Sequence, residues 1–155
     1  VSIAARLSEV KIRQITLRPP AIVERNASIA QTVEVMRARQ LGCALVCEKG
    51  RLVGLFTERD LLNKVIGEPG GYEVEVEHVM TPNPAKLSLD DSVIQAMRLM
   101  EEGDFRNIPL VDQDEQAAGV VTVRDLVNYF AEHFPKEALN LPPDTAQTMR
   151  HAEGA

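Results

Sequence analysis

Gly54-Leu-Phe-Thr-Glu-Arg-Asp-Leu-Leu-Asn63 returns 65 positions later as Gly119-Val-Val-Thr-Val-Arg-Asp-Leu-Val-Asn128, with Gly, Thr, Arg, Asp, Leu and Asn recurring in place. Upstream the offset is 64: the stretch from Val10 to Met36 lies over that from Val74 to Met100, and Val10, Pro20, Ala21, Ser28, Gln31 and Met36 each meet an identical residue. Ile12/Val76, Ile15/Val79, Ile29/Val93 and Glu48/Asp112 are conservative pairs, and the second copy carries one extra residue before the downstream register. Self-similarity over this length marks two copies of one supersecondary unit.

Each copy predicts the order β-α-β-β-α, an α/β (α+β) unit. A short extended piece follows Pro20 or Pro84, and then Ile29, Val33 and Met36, or Val93, Met97 and Met100, recur at the spacing of one helical face. These methionines read as core. Asn26 or Asp90 is one candidate N-cap for this helix; Ser28-x-x-Gln31 and Ser92-x-x-Gln95 offer a capping box two residues later. The apolar runs ALVC at Ala44 and IPLV at Ile108, each followed by a polar turn and a second apolar run, predict a buried hairpin. The last helix spans about 57–66 in the first copy and about 122–134 in the second, where Leu126, Phe130 and Phe134 form an apolar face that ends at Pro135.

Residues 1–9 precede the repeats, 10–66 and 74–134 are the copies, Gly67-Glu-Pro-Gly-Gly71 opens a linker over 67–73, and 135–155 is a tail expected to be mobile unless it docks on a partner. The acidic run EVEVEH from Glu73 reads as a solvated edge.

Composition narrows the function. The chain of 155 residues carries 17 Lys and Arg against 23 Asp and Glu, for a net charge of −6, with 45% hydrophobic residues and no Trp. That is enough apolar material for an ordinary core, and it disfavours a basic, aromatic-lined nucleic-acid groove. No run approaches the roughly 18 apolar residues of a membrane span, and the N-terminal residues lack signal-peptide order, so the expected location is cytoplasmic. Cys43 and Cys47 would sit on one face of a strand about 13 Å apart, too far for a disulfide, and without a nearby His they read as packing rather than a metal site. His78, His133 and His151 are scattered and carry no expected chemistry.

Two β-α-β-β-α units, each closing on Gly-x-x-Thr-x-Arg-Asp-Leu, together with VMTPNP at Val79–Pro84 and FRNIPLVD at Phe105–Asp112, resemble a cystathionine-β-synthase (CBS) domain pair, or Bateman module, over roughly residues 10–134. The resemblance implies a pseudo-two-fold pair of repeats with two clefts that take adenine nucleotides, AMP, ADP or ATP, as a regulatory signal. It carries Asp60 and Asp125 over as acceptors for ribose hydroxyls and Thr57 and Thr122 as phosphate contacts. An ionised carboxylate accepts two hydrogen bonds from a vicinal diol, and a helix start suits phosphate. Arg59 and Arg124 are supplementary phosphate ligands, since guanidinium offers paired donors.

Arg106 precedes the mid-repeat strand where related pairs supply a basic side chain; the first copy has Gly42 there. The cleft of Arg106, Thr122, Arg124 and Asp125 is therefore the preferred one. Ala85, Lys86, Ile108 and Pro109 are expected to wall the base, with Ala21, Ile22, Cys43 and Ala44 as first-copy counterparts. Some relatives bind Mg²⁺ beside nucleotide, but no carboxylate is assigned that role here. The family also commonly forms face-to-face homodimers, and the effector protein is not identified by the sequence, which either acts in trans or is part of a longer chain.

The same residues admit plainer readings. Thr-x-x-Asp at a helix start is also a capping box, and Arg59 and Arg124 are also ordinary solvated helix residues. A ligand-free dimerisation module and a cleft for another adenosyl ligand, such as S-adenosylmethionine, are the alternatives. No Gly-x-Ser-x-Gly elbow, Walker A loop or His-Glu-x-x-His occurs, and the repeats share their polar residues, so no enzyme activity is expected.

Overall fold

Ser28 and Ser92, not Asn26 and Asp90, cap the two long helices. Each Oγ accepts the N–H three residues on at 3.1 Å, and Gln31 or Gln95 returns the bond to the cap N–H at 2.9 or 2.7 Å. Asp90 instead spends its carboxylate on Arg13 at 3.0 Å.

The computed structural model describes residues 2–134; the tail from 135 lies outside the described residues. The elements run α1 (Ile3–Ser8), β1 (Ile22–Glu24), α2 (Ile29–Arg39), β2 (Cys43–Glu48), β3 (Arg51–Thr57), α3 (Glu58–Asp60), β4 (Thr81–Pro82), β5 (Leu87–Ser88), α4 (Val93–Gly103), β6 (Asn107–Val111), β7 (Ala117–Thr122) and α5 (Val123–His133). α3 runs directly into a π-wound turn, Leu61–Val65, so the last helix of the first copy is wider than the α5 that answers it. In the linker, Gly67 and Gly70 take φ of +92° and +69°, a left-handed backbone that glycine adopts without a Cβ penalty.

The strands form two sheets, β1-β2-β3-β4 and β5-β6-β7. In each, the first strand is parallel to the mid-repeat strand, which then pairs antiparallel with its hairpin partner. The register sets Cys43 against Thr57 and Asn107 against Thr122. Ile108 and Pro109 therefore correspond to Ala44 and Leu45, one residue on from the expected Cys43-Ala44, because the extra residue of the second copy lies in its hairpin turn. The two hairpin turns cross, with Leu52 N–H on the Glu115 carbonyl at 3.1 Å and Ala117 N–H on that of Gly50 at 3.0 Å.

The helical stripes are rotated slightly from the expected ones. Ile29, Thr32 and Met36 are buried on α2, as are Val93, Ala96 and Met100 on α4. Met97 is 37% exposed rather than core, because the buried stripe of α4 takes the same phase as that of α2, with Ala96 at the place of Thr32, and leaves the next position outside. Thr32 is tolerated inside because its hydroxyl donates to the Ser28 carbonyl at 2.8 Å.

The lead-in segments are exchanged between halves. Leu7, Ile12 and Ile15 pack with Val93, Ile108, Val121, Leu126 and Phe134, whereas Val76 packs with Ile29, Phe56 and Val65. Paired backbone bonds fix the exchange: Ile12 N–H to Asp91 C=O at 2.9 Å and Val93 N–H to Val10 C=O at 2.8 Å are mirrored by Val76 to Ala27 at 2.8 Å and Ile29 to Val74 at 2.9 Å. The acidic run is thus only partly a solvated edge, since it inserts fully buried Val76 and engages Glu77 with Arg25 at 2.5 Å. α1 joins the second half too, with the Arg6 guanidinium 4.4 Å over the Phe134 ring.

Candidate functional site

Both Thr-x-x-Asp sequences fold as reciprocal capping boxes at the end of a hairpin. In the second copy, Asp125 Oδ2 accepts from Thr122 N–H at 2.8 Å and from its hydroxyl at 2.9 Å, and Thr122 Oγ1 accepts Asp125 N–H at 3.1 Å. The first copy repeats this with Asp60 and Thr57 at 3.0, 3.2 and 3.3 Å. Asp60 and Asp125 are 8% and 6% exposed, so each helix start holds a nearly buried carboxylate in one orientation. The structural reading is therefore realised at both positions, and it uses one carboxylate oxygen.

The other oxygen differs between copies. Asp60 Oδ1 lies 3.0 Å from Lys64 Nζ. Asp125 Oδ1 has no partner among the described residues.

Across the pseudo-two-fold, each helix start faces the other repeat. Asp125 is near enough to Cys43 for its charge to act on that thiol, and Arg59 Nη2 reaches Asp104 Oδ2 at 3.8 Å. Asp125 thus looks across toward Cys43 and Arg59 across toward the Asp104 turn, while Arg106 stays beside the helix start of its own copy, its carbonyl accepting the Val123 N–H at 3.0 Å. Arg59, Arg106 and Arg124 are all exposed. Burial first, then the negative charges of Glu58 and Asp125, push the Cys43 thiol up to about 12, and burial with Glu24 pushes Cys47 up to about 11. Both cysteines are buried and free, as packing requires.

Two residues unremarked in the sequence shape this region. A Cβ on Gly42 would come within 2.9 Å of Glu58 Oε1, so the Glu58 side chain lies over Gly42. The second copy reverses that lip, with Arg106 in place of Gly42 and Val123 in place of Glu58; the helix-start N–H bonds the preceding turn's carbonyl at 3.0 Å in both. Glu58 and Lys64 were legible as charged residues opposite the uncharged Val123 and Tyr129, and Lys64 also by its spacing four residues after Asp60.

The base-wall residues divide by exposure. Ala21, Cys43, Ala44, Ile108 and Pro109 are buried, Ile22 and Ala85 are exposed, and Lys86 is half-buried in an ion pair with Glu115. Leu45 N–H donates to the Ala21 carbonyl at 2.7 Å. Pro109 stands in its place in the second copy and has no N–H, so that ladder starts one residue later, at Leu87 against Leu110, and spares the carbonyl of Ala85.

Two further recesses lie at the hairpin end, related by the same pseudo-symmetry. One, of about 550 Å³, is lined by Glu24, Arg25, Asn26, Glu48, Lys49 and Glu77; the other, of about 280 Å³, includes Arg13, Asp90 and Asp112. Neither includes a Thr-x-x-Asp residue. The ligand atoms of Glu75, Glu77 and His78 converge on the surface, but Glu77 is held below the usual carboxylate range chiefly by its hydrogen bond from Arg25.

Fold and site together define a tandem-repeat pair with a polar helix start in each half turned toward the other. The chain belongs to the CBS domain family, whose model matches residues 12–67 and again 76–132. CBS domain-containing protein CBSCBSPB3 of Arabidopsis thaliana is 28% identical over 149 residues, covering 83% of this chain and 27% of the plant protein, so this chain spans about a quarter of that relative. A 17.7 kDa protein of Acidianus ambivalens is 31% identical over 121 residues, covering 75% of this chain and 70% of that one. The crystal structure of CBSX2 in complex with AMP shares the fold, with a TM-score of 0.67, 23% identity, and coverage of 79% of this chain and 97% of that one. No helix among the described residues is long and apolar enough to cross a membrane.

Proposed function

We propose that this chain is a non-catalytic regulatory module that takes an adenine nucleotide, AMP, ADP or ATP, between its two CBS repeats. The observation that carries the reading is Asp125: Thr122 fixes one carboxylate oxygen, and the other is left to accept a ribose diol beside a helix start. Arg106 and Arg124 are the cations for phosphate, and Mg²⁺ enters with ATP to offset charge. The AMP carried by CBSX2, a neighbour of the same fold, supports this ligand class. Binding signals to the extent that the nucleotide prefers one arrangement of the two repeats.

Calorimetry of nucleotide-stripped protein with AMP, ADP and ATP, with and without Mg²⁺, tests it. Asp125→Asn keeps an oxygen for the Thr122 cap but replaces the open acceptor with an NH₂ donor. Binding to the parent, lost in this folded variant, supports the reading; no heat from any of the three nucleotides overturns it.

A second property has its own observation. Leu62 and Val127, equivalent positions of the two last helices, are 66% and 59% exposed. Apolar residues repeated by the pseudo-two-fold on one helical layer suit an isologous contact with a second copy of this chain.

A further inference from the structure

Lys64 distinguishes the two helix starts more sharply than any other residue. Its ammonium is held 3.0 Å from Asp60 Oδ1 and donates to the Val79 carbonyl at 3.0 Å, so it ties the last helix of the first copy to the lead-in of the second. It stands four residues after Asp60, so the two side chains share one face of the helical segment. With Oδ2 already committed to Thr57, both oxygens of Asp60 are engaged.

The second copy has no such contact. Tyr129 occupies the position of Lys64 and stacks on His133 with ring centroids 4.2 Å apart, and α5 is α-wound throughout. A diol donates two hydrogen bonds to the carboxylate it docks on, and an ammonium at 3.0 Å stands where one of those donors would come.

We infer that Lys64 is a specificity-determining residue that closes Asp60 to ribose, so that the chain holds one adenine nucleotide, at Asp125, rather than two. This rests on the nucleotide reading above and assigns the unequal use of the two repeats to one side chain. The carboxylate of Asp60 is intact and correctly capped; what it lacks is a free oxygen. Removing the ammonium while keeping the aliphatic stem should therefore open a second site without rebuilding anything.

The full chain, nucleotide-stripped, is titrated with AMP by calorimetry as parent, Lys64→Met, Asp125→Asn and the double variant, each checked by thermal melting; Lys64→Leu stands in if Lys64→Met misfolds. The expected stoichiometries are one, two, none and one per chain. Two sites in the parent, one site in folded Lys64→Met, weaker AMP binding when Lys64 is replaced, or a silent double variant overturns the role of Lys64. Parent and all variants silent overturns the nucleotide reading itself.

Discussion

Ile12 belongs to the half of the molecule that its sequence repeat does not: its N–H bonds the Asp91 carbonyl at 2.9 Å, and its side chain is fully buried against the second core. Val76 makes the reciprocal insertion, through Ala27 at 2.8 Å, into the first. Each half is therefore completed by chain from the other copy, and neither core closes on its own repeat alone.

Ile12→Ala should thus act at a distance in sequence. Truncating a buried Ile costs about 2–5 kcal/mol through lost transfer energy and the cavity left behind. Amide exchange should accelerate first at Ile108 and Val121, not at Leu45 and Phe56. Equal loss of protection in both sheets, or loss confined to the first, contradicts the exchange.

Much of this fold was readable because a repeat compares the chain with itself. Thr57/Thr122, Asp60/Asp125 and the hairpins came from that comparison. The exchange did not, because Ile12 and Val76 align equally well whichever core they fill; sequence offset records equivalence and not contact. The stripe on α4 shifted for a related reason: which of the adjacent Ala96 and Met97 faces the sheet is a tertiary fact, and Met97 looked the better core residue. At the site, the residue types were legible and their commitments were not. The spacing of Lys64, four residues after Asp60, permits an ion pair on one helical face, but that the Val79 carbonyl also holds the ammonium there is a tertiary fact.

Alkaline pH should weaken the protein through its thiols. Cys43 is pushed up to about 12 in the fold, above the roughly 8.5 of an unfolded cysteine. The neutral thiol is favoured in the native state, so this contribution is whole below pH about 8.5 and lost as pH rises through the native value. Over that window the unfolded chain binds fewer protons, and stability falls by up to about 1.4 kcal/mol per pH unit for each such thiol. Urea melts at pH 8 and pH 10 should show a smaller drop for Cys43→Ala than for the parent. An equal drop removes Cys43 from the account.

Leu62→Glu combined with Val127→Glu should convert a dimer to a monomer, seen as a halved mass in sedimentation. Both side chains are already mostly in solvent in the single chain, so neither change opens a cavity, and the melting temperature of the dilute protein should hold. A parent that sediments as a monomer, or a dimer unaffected by both charges, rejects this face as the contact.

Under the proposed function, Glu58 sets the charge that a phosphate would meet on the Cys43 side of the interface. It lies over Gly42, and with Asp125 it raises the Cys43 thiol, so two carboxylates bear on the same place. A phosphate chain entering beside Asp125 is repelled by Glu58 in proportion to its charge, whereas adenosine is not. One unit charge several ångströms away in a partly solvated cleft is worth about 1 kcal/mol, or roughly fivefold in affinity. Glu58→Gln should therefore tighten ATP more than AMP and leave adenosine unchanged, and the gain should shrink in high salt because exposed charges are screened. Equal tightening of all three ligands would assign the effect to shape rather than charge. If ATP weakens instead, Glu58 acts as an acceptor for the nucleotide and not as a repelling charge.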